Sequence, residues 1–477
     1  MIKDMTEGSP SKILWMFSLP MLMSAVFQQL YNVVDSVVAG QFIGVGALAA
    51  VGASYPVTMI FMAVATGANI GCSVVISQLF GAKAYGKMKT AVNTSVIAVL
   101  GVSAVLSAAG FAFCELLMRL MNTPQDIFAD ARLYLQIYIG GLIFLFLYNI
   151  CTGIFTALGD SRTPLCFLIA SSVGNIILDL VFVVLFNMGV AGVAWATFLC
   201  QGVAAISSLA ALRKRLHSVA AEETAAPFSF VMLRRISAIA VPSILQQSFI
   251  SVGNLLIQGL VNSYGSTVVA GYSAAVKLNT FAITSFTTLA NGLSSFTAQN
   301  FGAGALNRVE RGFRAGVVMA ACVVLPFCAA FFFFGAQMIG LFMDIEANRN
   351  AASVGTQFLR IVSPFYIVVA VKLMADAVLR GAGRMAAFMT TAFTDLILRV
   401  VLAFAFSAAL ESSVGIWLSW PFGWSVATVL SCVFYFCGVW KKRCVVYTDP
   451  LALDEAAQAA LSSPVCEMPL AEEDPIQ

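Results

Sequence analysis

Two acidic residues in apolar surroundings, Asp35 and Asp179, are the residues of this sequence best suited to chemistry. Each lies within a long apolar stretch, and no Lys, Arg or His lies in the interior of the first six such stretches to neutralise either one. An isolated carboxylate in surroundings of low dielectric constant takes up a proton or captures a metal cation. If the two lie close together, they titrate as a coupled pair. The sequence therefore predicts a cation-binding pair.

Other oxygen-bearing side chains share the helix faces that carry these acids. Each acid ends a set with i, i+3, i+7 spacing: Gln28, Tyr31 and Asp35 in the first stretch, and Ser172, Asn175 and Asp179 in the fifth. Thr197, in the sixth stretch, adds a hydroxyl. Carboxylate, amide and hydroxyl oxygens are hard ligands that suit Na⁺ or H⁺ better than a soft metal. The alternative is that these groups only form interhelical hydrogen bonds that hold a bundle together.

The second half of the chain distributes its intramembrane charges differently. Lys372 precedes Asp376 by four residues, and Asp395 precedes Arg399 by four. Residues at i and i+4 are neighbours on a helix, so each pair is predicted to neutralise itself in a structural role. Lys277 has no such neighbour and is predicted to line a wet cavity.

The elements that must position these side chains are membrane-spanning helices. The chain has 477 residues, of which 60% are hydrophobic and only 10% charged, whereas a soluble domain carries about 25% charged residues. A spanning helix needs about 20 mostly apolar residues, and long continuous runs exclude the short alternating strands of a β-barrel. Twelve such runs are predicted, at 13–38, 52–80, 91–117, 132–158, 164–186, 190–212, 236–262, 271–299, 315–342, 356–380, 386–410 and 414–439.

The positive charges fit twelve spans. Lys and Arg residues collect in every second loop, before the first span and after the last one, and twelve spans place all of these segments on one side of the membrane. The other side receives only four of these residues, Arg119, Arg132, Arg349 and Arg360. Cytoplasmic loops collect Lys and Arg, so both termini are predicted to be cytoplasmic. The expected location is a multi-pass protein of the bacterial plasma (inner) membrane.

The two halves of the sequence resemble each other. The segment Ser77-Gln-Leu-Phe-Gly-Ala82 of the first half corresponds to Ala298-Gln-Asn-Phe-Gly-Ala303 of the second half, and Pro20 corresponds to Pro242. Parallel repeats of six helices, with a site between them, are a recurrent transporter plan. The predicted fold is an all-α membrane protein with two pseudo-symmetric six-helix lobes around a central cleft. Its parts are an N-lobe (1–212), a cytoplasmic linker (213–235), a C-lobe (236–440) and an acidic cytoplasmic tail (441–477).

Taken together, several motifs resemble the multidrug and toxic compound extrusion (MATE) family over nearly all of residues 10–440. They are Pro20, Tyr31-Asn-Val-Val-Asp-Ser-Val-Val-Ala-Gly40, Gln78-Leu-Phe-Gly81, Gly174-Asn-Ile-Ile-Leu-Asp179 and Gln299-Asn-Phe-Gly302. The resemblance is greatest to the DinF-like branch. It implies a cation-coupling site at Asp35, Asn175, Asp179 and Thr197, with Asp35 and Asp179 as the Na⁺ ligands if sodium is the ion. It also implies substrate contacts at Gln28, Tyr31, Thr152 and Ser172, joined in the cleft by Lys277, and a hinge at Pro20.

The expected function is secondary antiport, in which amphipathic and often cationic organic compounds leave in exchange for Na⁺ or H⁺ by alternating access. The seventh span has no acid, so a second sodium site in the C-lobe is not expected. The alternative is a flippase for lipids or lipid-linked oligosaccharides, which would need a basic cavity.

An enzyme is not expected, because the sequence offers no His pair, nucleophile motif or phosphate loop. The expected partners are a small organic substrate and the bilayer, with no nucleic acid, no cofactor beyond the coupling ion, and a monomeric state.

Overall fold

A computed structural model describes residues 3–38, 42, 45–121, 123–220 and 224–441, although not the side chains of 32–38 and 45–48. Every regular element in these ranges is helical. The helices are α1 (Pro10–Val38), α2 (Val45–Gly81), α3 (Tyr85–Leu120), α4 (Phe128–Gly140), α5 (Leu142–Ala157), α6 (Arg162–Leu180), α7 (Gly189–His217), α8 (Phe230–Asn262), α9 (Ser266–Gly302), α10 (Leu306–Phe333), α11 (Gly335–Ile339), α12 (Arg349–Val362), α13 (Tyr366–Gly381), α14 (Met385–Leu410) and α15 (Val414–Phe436). The predicted tail, apart from Lys441, lies outside the described residues.

These helices form the twelve predicted spans, six in each lobe. Three spans are built from two helices each. The ninth consists of α10 and the five-residue helix α11. The fourth consists of α4 and α5, which meet at a bend of 48° beside the glycine pair Gly140 and Gly141. The tenth consists of α12 and α13, joined by a short 3-10 turn, Ser363–Phe365, that contains Pro364. Proline lacks the N–H that would continue an α-helix, so it accounts for this break.

One span is less apolar than the others. In the described ranges, ten helical segments are long and apolar enough to cross a membrane, and the bent pair α4 and α5 makes eleven. The remaining span is α9, a helix of 37 residues. Several hydroxyl and amide side chains and Lys277 reduce its hydropathy. Polar residues in a spanning helix face the protein interior or a water-filled cavity, so α9 is expected to line the cleft.

The lobes meet at the end of the molecule that carries both the first and the last described residues, called the terminal side below. Here α2 packs along α8, so closely that a Cβ at Gly67 would collide with Ile244. The α1 helix packs on α9 in the same way, with Ser18 against Gly292. Further along α2, a Cβ at Gly52 would meet no atom within 4 Å. The close glycine contacts between the lobes therefore lie from the middle of α2 to its terminal end.

Two reciprocal hydrogen bonds close the terminal side. The side-chain nitrogen of Gln78 donates to the carbonyl oxygen of Gly381 in the opposite lobe, at 2.9 Å. Its counterpart in the repeat, Gln299, donates to the carbonyl oxygen of Ala157, at 2.7 Å. All four groups are buried. The duplicated glutamines of the sequence thus form a pseudo-symmetric seal, which the repeat alone did not indicate.

The N-terminal segment crosses this seal. The backbone N–H of Lys3 donates to the carbonyl oxygen of Leu158 in the N-lobe, at 3.1 Å. Two residues later, the N–H of Met5 donates to the side-chain oxygen of Gln299 in the C-lobe, at 2.9 Å. The Asn300 amide returns a bond to the Met5 carbonyl oxygen, at 3.2 Å, and the Met5 side chain is fully buried. This segment therefore ties both lobes together in the state observed.

Candidate cation-coupling site

The buried face of α6 carries the polar residues that the sequence placed on it. Ser172, Asn175 and Asp179 are all buried, and Asp179 has no exposed surface. The residues between them, such as Val173 and Ile177, are exposed on the opposite face. A period of three to four residues therefore directs these oxygens inward, towards α1 and α7, which both pack on α6.

The Asn175 carboxamide is the centre of the site. Its oxygen accepts from the backbone N–H of Thr197, at 3.0 Å, and its nitrogen donates to Asp179 Oδ2 at 3.2 Å and to the Tyr31 hydroxyl oxygen at 2.6 Å. A backbone N–H can only donate, so the Thr197 contact fixes which end of the amide faces Asp179. Three helices, α1, α6 and α7, are joined through this one side chain.

This orientation changes what the site offers to an ion. The predicted cage would surround a cation with oxygen atoms from Asn175, Asp179 and Thr197. With its oxygen assigned to the Thr197 end, Asn175 directs its nitrogen to the Asp179 carboxylate, and Thr197 contacts the amide through its backbone N–H. These N–H groups cannot coordinate Na⁺, which takes oxygen ligands. The side chain of Asp35, the other predicted ligand, is outside the described residues, so the choice between Na⁺ and H⁺ stays a prediction.

A small cavity lies beside Thr197, between α4 and α7. Its volume is about 10 Å³, and its wall is mostly apolar, with Ile137, Ala194 and Phe198 beside Thr197. The Thr197 backbone thus holds Asn175 while the same residue borders this cavity.

Asp35 lies in α1, one turn beyond Tyr31. Its side chain is outside the described residues, so the predicted Asp35 and Asp179 pair stays a prediction. Tyr31, expected from the family resemblance to contact substrate, lies within the coupling cluster through its bond to Asn175. No signal in the sequence linked those two residues, because the contact depends on which face of α1 packs against α6.

The other residues expected to contact substrate differ in exposure. Ser172 is buried on the face of α6 that carries Asp179. Gln28 is exposed on α1, Thr152 is half-buried in α5, and Lys277 is exposed on α9 of the other lobe. Pro20, the expected hinge, lies within α1, which continues through it without a break. The Ser24 hydroxyl donates to the Pro20 carbonyl oxygen, at 3.0 Å. The hinge role stays a prediction.

The charged residues of the C-lobe form a compact buried network. Lys372 donates to Asp376 at 2.9 Å, which confirms the predicted i, i+4 pair. Asp376 also accepts hydrogen bonds from the hydroxyls of Thr391 (2.9 Å) and Ser431 (2.8 Å). The sequence analysis did not identify these hydroxyls, which are isolated polar groups on apolar helices. This carboxylate is thus neutralised and saturated with donors.

The second predicted C-lobe pair, Asp395 with Arg399, is wrong. The structure shows no ion pair between them among its described residues. Lys372 instead lies 3.7 Å from Asp395, so it serves two acids on neighbouring helices. The Arg399 guanidinium stacks over the Trp420 ring at 4.6 Å. The face of an indole ring attracts a guanidinium group. Helical spacing within α14 did not predict that an indole of α15 would lie against Arg399.

We expect the Lys372 network to contribute to folding rather than to ion coupling. Lys372→Met would leave Asp376 without its cation and lower the stability by about 3–5 kcal/mol, as for other broken buried ion pairs. Lys372→Met combined with Asp376→Asn would recover much of that loss. Thermal unfolding of the purified protein measures both. The control is Lys441→Met, which removes an exposed pair with Glu310 and should change stability by less than about 1 kcal/mol. Equal melting temperatures for Lys372→Met and Lys441→Met would contradict this role.

Comparison with known proteins agrees with this architecture. A family model described as MatE matches residues 20–181 and, a second time, residues 242–405. The probable multidrug resistance protein YpnP of Bacillus subtilis is 30% identical over 446 residues, 92% of this chain and 97% of that protein. The multidrug export protein MepA of Staphylococcus aureus is 25% identical over 349 residues, 73% of this chain and 77% of that protein. A solved structure described as the outward-facing conformation of a multidrug resistance MATE family transporter has a TM-score of 0.84 at 23% identity, covering 92% of this chain and 98% of that one.

Two six-span lobes related by a sequence repeat are the architecture of a membrane transporter. The chain belongs to the MATE family, as its sequence motifs indicated. The family model matches each half separately, which confirms the predicted duplication. The relatives are named for multidrug resistance and export, so the family relation supports the extrusion of organic compounds. The lobe and linker boundaries and the DinF-like branch stay predictions.

Proposed function

We propose that this protein exports amphipathic organic compounds in exchange for protons, and that Asp179 is the group that binds the coupling proton. The observation that carries this proposal is the Asn175 amide, whose nitrogen faces a fully buried carboxylate. A proton needs one acceptor oxygen, while Na⁺ needs a shell of them. We also propose that the terminal side is cytoplasmic, because Lys and Arg collect there. The transporter acts as a monomer in this proposal.

The structure suggests how protonation at Asp179 would reach the opposite lobe. A proton entering from the open cleft removes the negative charge of the carboxylate and weakens its bond with the Asn175 amide, because hydrogen bonds to charged groups are stronger. Asn175 also bonds to Tyr31 on α1, and the terminal half of α1 packs on α9 of the C-lobe. A change at Asp179 is therefore transmitted to α1, where the missing N–H of Pro20 makes bending easier.

Exchange follows from this connection if proton and substrate stabilise different states. An ion that favours one arrangement of the lobes lowers the protein's affinity for a ligand that favours the other arrangement. That ligand lowers the affinity for the ion by the same factor. In the structure the terminal side is sealed. We propose that in this state substrate leaves and a proton enters from the opposite side. The reverse rocking movement would break the Gln78 and Gln299 bonds and expose the cleft to the cytoplasm.

A specific observation disfavours the flippase alternative. A flippase for pyrophosphate-linked lipids would need basic residues in the central cavity. Arg399, one of the two candidates in the sequence, is buried over Trp420, which leaves Lys277 as the exposed one of that pair. A single exposed lysine is a poor match for a pyrophosphate, which carries several charges.

The test is dye efflux from proteoliposomes under separately imposed gradients. A proton gradient alone should drive export of rhodamine 6G, and a sodium gradient of equal size should not. Protein-free liposomes supply the control for passive leakage. Export driven by sodium alone, or no export under either gradient, would overturn proton coupling.

A further inference from the structure

A polar stripe runs along one face of α9. Its members are spaced alternately four and three residues apart, which places them on one side of a helix. They are Ser273, Lys277, Thr280, Thr284, Thr287 and Asn291. The first three are exposed and the last three are half-buried, as expected for a stripe that descends from the open mouth of the cleft towards its sealed end. Both α12 and α13 pack on α9.

A recess of about 310 Å³ surrounds the lysine of this stripe. One part of its wall is polar and consists of Lys277, Ser273 and Asn348. Another part is apolar and consists of Phe342 and Met343. Small-molecule sites have volumes in this range and combine apolar surface with a few polar groups that fix orientation.

The charge of the recess is positive. Lys277 lies 5.7 Å from the centre of the Phe342 ring, and no described carboxylate lies within ion-pair distance of it. Further along α9, Asn291 accepts a hydrogen bond from the guanidinium of Arg380, at 2.7 Å. Two basic groups therefore lie on or against the stripe, the exposed Lys277 and the buried Arg380. A cationic substrate has no favourable partner at Lys277.

We propose that the recess at Lys277 binds the anionic group of an amphipathic organic compound, with an aromatic or aliphatic part against Phe342 and Met343. The exported compounds then include organic acids and zwitterions, not only cations. Lys277 supplies the charge, and the Ser273 hydroxyl and the Asn348 amide supply further donors. This inference rests on the proposed function, because it names a substrate class for the same cleft.

Binding to the purified protein in nanodiscs tests the site without any transport. The probes are dansylglycine, a fluorescent aromatic carboxylate, and dansylglycinamide, its uncharged analogue. Wild-type protein should bind dansylglycine saturably and at least about ten-fold more tightly than dansylglycinamide, the difference expected for one charge-assisted contact. Lys277→Gln should abolish that preference, and Lys277→Arg should retain it.

Two further variants test the specificity of the site. Asp126→Asn, which removes an acid from an exposed loop, should bind dansylglycine as the wild type does. Ser273→Ala, a smaller change in the same recess, should weaken dansylglycine binding without affecting dansylglycinamide. Equal binding of both probes by the wild type, or an unchanged preference in Lys277→Gln, would overturn the proposal. A failure of proton-driven efflux would leave these binding results intact, so the two proposals fail separately.

Discussion

Replacing Asp179 with asparagine should abolish proton-driven export while leaving a folded protein in the membrane. Asparagine has the shape of aspartate and can still meet the Asn175 amide, but it cannot take up a proton. Coupling free energies between two ligands are about 1–3 kcal/mol, so export against a gradient should fall about 5- to 150-fold. Rhodamine 6G efflux from proteoliposomes under a proton gradient measures the loss.

The matched control for this variant is Asp126→Asn, which removes an acid from an exposed loop and should leave efflux unchanged. Thermal unfolding should show Asp179→Asn at least as stable as the wild type, because replacing a buried charge by a neutral group of similar size rarely destabilises a protein. Wild-type efflux by Asp179→Asn would remove this residue from the coupling mechanism. A collapsed melting temperature would assign it a structural role.

Adding a methyl group to each of two glycines should prevent closure of the terminal side. A Cβ at Gly81 would collide with the carbonyl oxygen of Gln299, and a Cβ at Gly302 with that of Gln78. Both obstacles are backbone atoms of the opposite lobe, which cannot rotate away. Overpacking of this kind costs about 1–3 kcal/mol per site. Gly81→Ala combined with Gly302→Ala should therefore shift the population away from the sealed state by at least about 5- to 150-fold and abolish export.

Distances between spin labels report this shift directly. Lys87 and Asn307 are exposed, and each follows one copy of the duplicated motif in its own lobe. With cysteines at these positions and the exposed Cys166, Cys322 and Cys437 replaced by serine, the distance distribution should lengthen in the double variant. Gly101→Ala with Gly259→Ala is the control, because a Cβ at either position meets no atom within 4 Å. An unchanged distribution in the Gly81 and Gly302 variant would show that these contacts do not limit closure.

Most of the fold was predictable from the sequence because the bilayer imposes simple rules. A segment in hydrocarbon must satisfy its own backbone hydrogen bonds, so long apolar runs in the sequence predict membrane-spanning helices. The predicted span 271–299 corresponds to α9 (Ser266–Gly302) even though that helix is polar for a span. The repeat predicted the lobes. The seal through Gln78 and Gln299 and the N-terminal segment across it were not predictable, since they depend on how two lobes meet rather than on any local pattern.

The candidate site was predictable only in part. Helical spacing placed Ser172, Asn175 and Asp179 on one buried face, as found. Spacing within α6 could not show that Tyr31 lies against Asn175, nor that the Thr197 backbone fixes the amide. For the same reason the sequence suggested an oxygen cage for Na⁺ or H⁺, and the choice of the proton is a proposal that rests on the orientation of one side chain.

If both proposals hold, ligands of opposite charge bind to different lobes, a cation near Asp179 and an anion at Lys277. A zwitterion would contact both residues, while a simple cation would have a partner only when Asp179 is ionised. Substrate choice should therefore vary with pH for cations more than for anions.

The measurement that tests the central claim most directly is the equilibrium affinity of purified protein for rhodamine 6G as a function of pH, without any membrane gradient. If a proton on Asp179 opposes dye binding, the wild-type affinity falls as the pH is lowered, and Asp179→Asn binds the dye equally at every pH. The same pH dependence in Asp179→Asn as in the wild type would show that the coupling proton binds elsewhere.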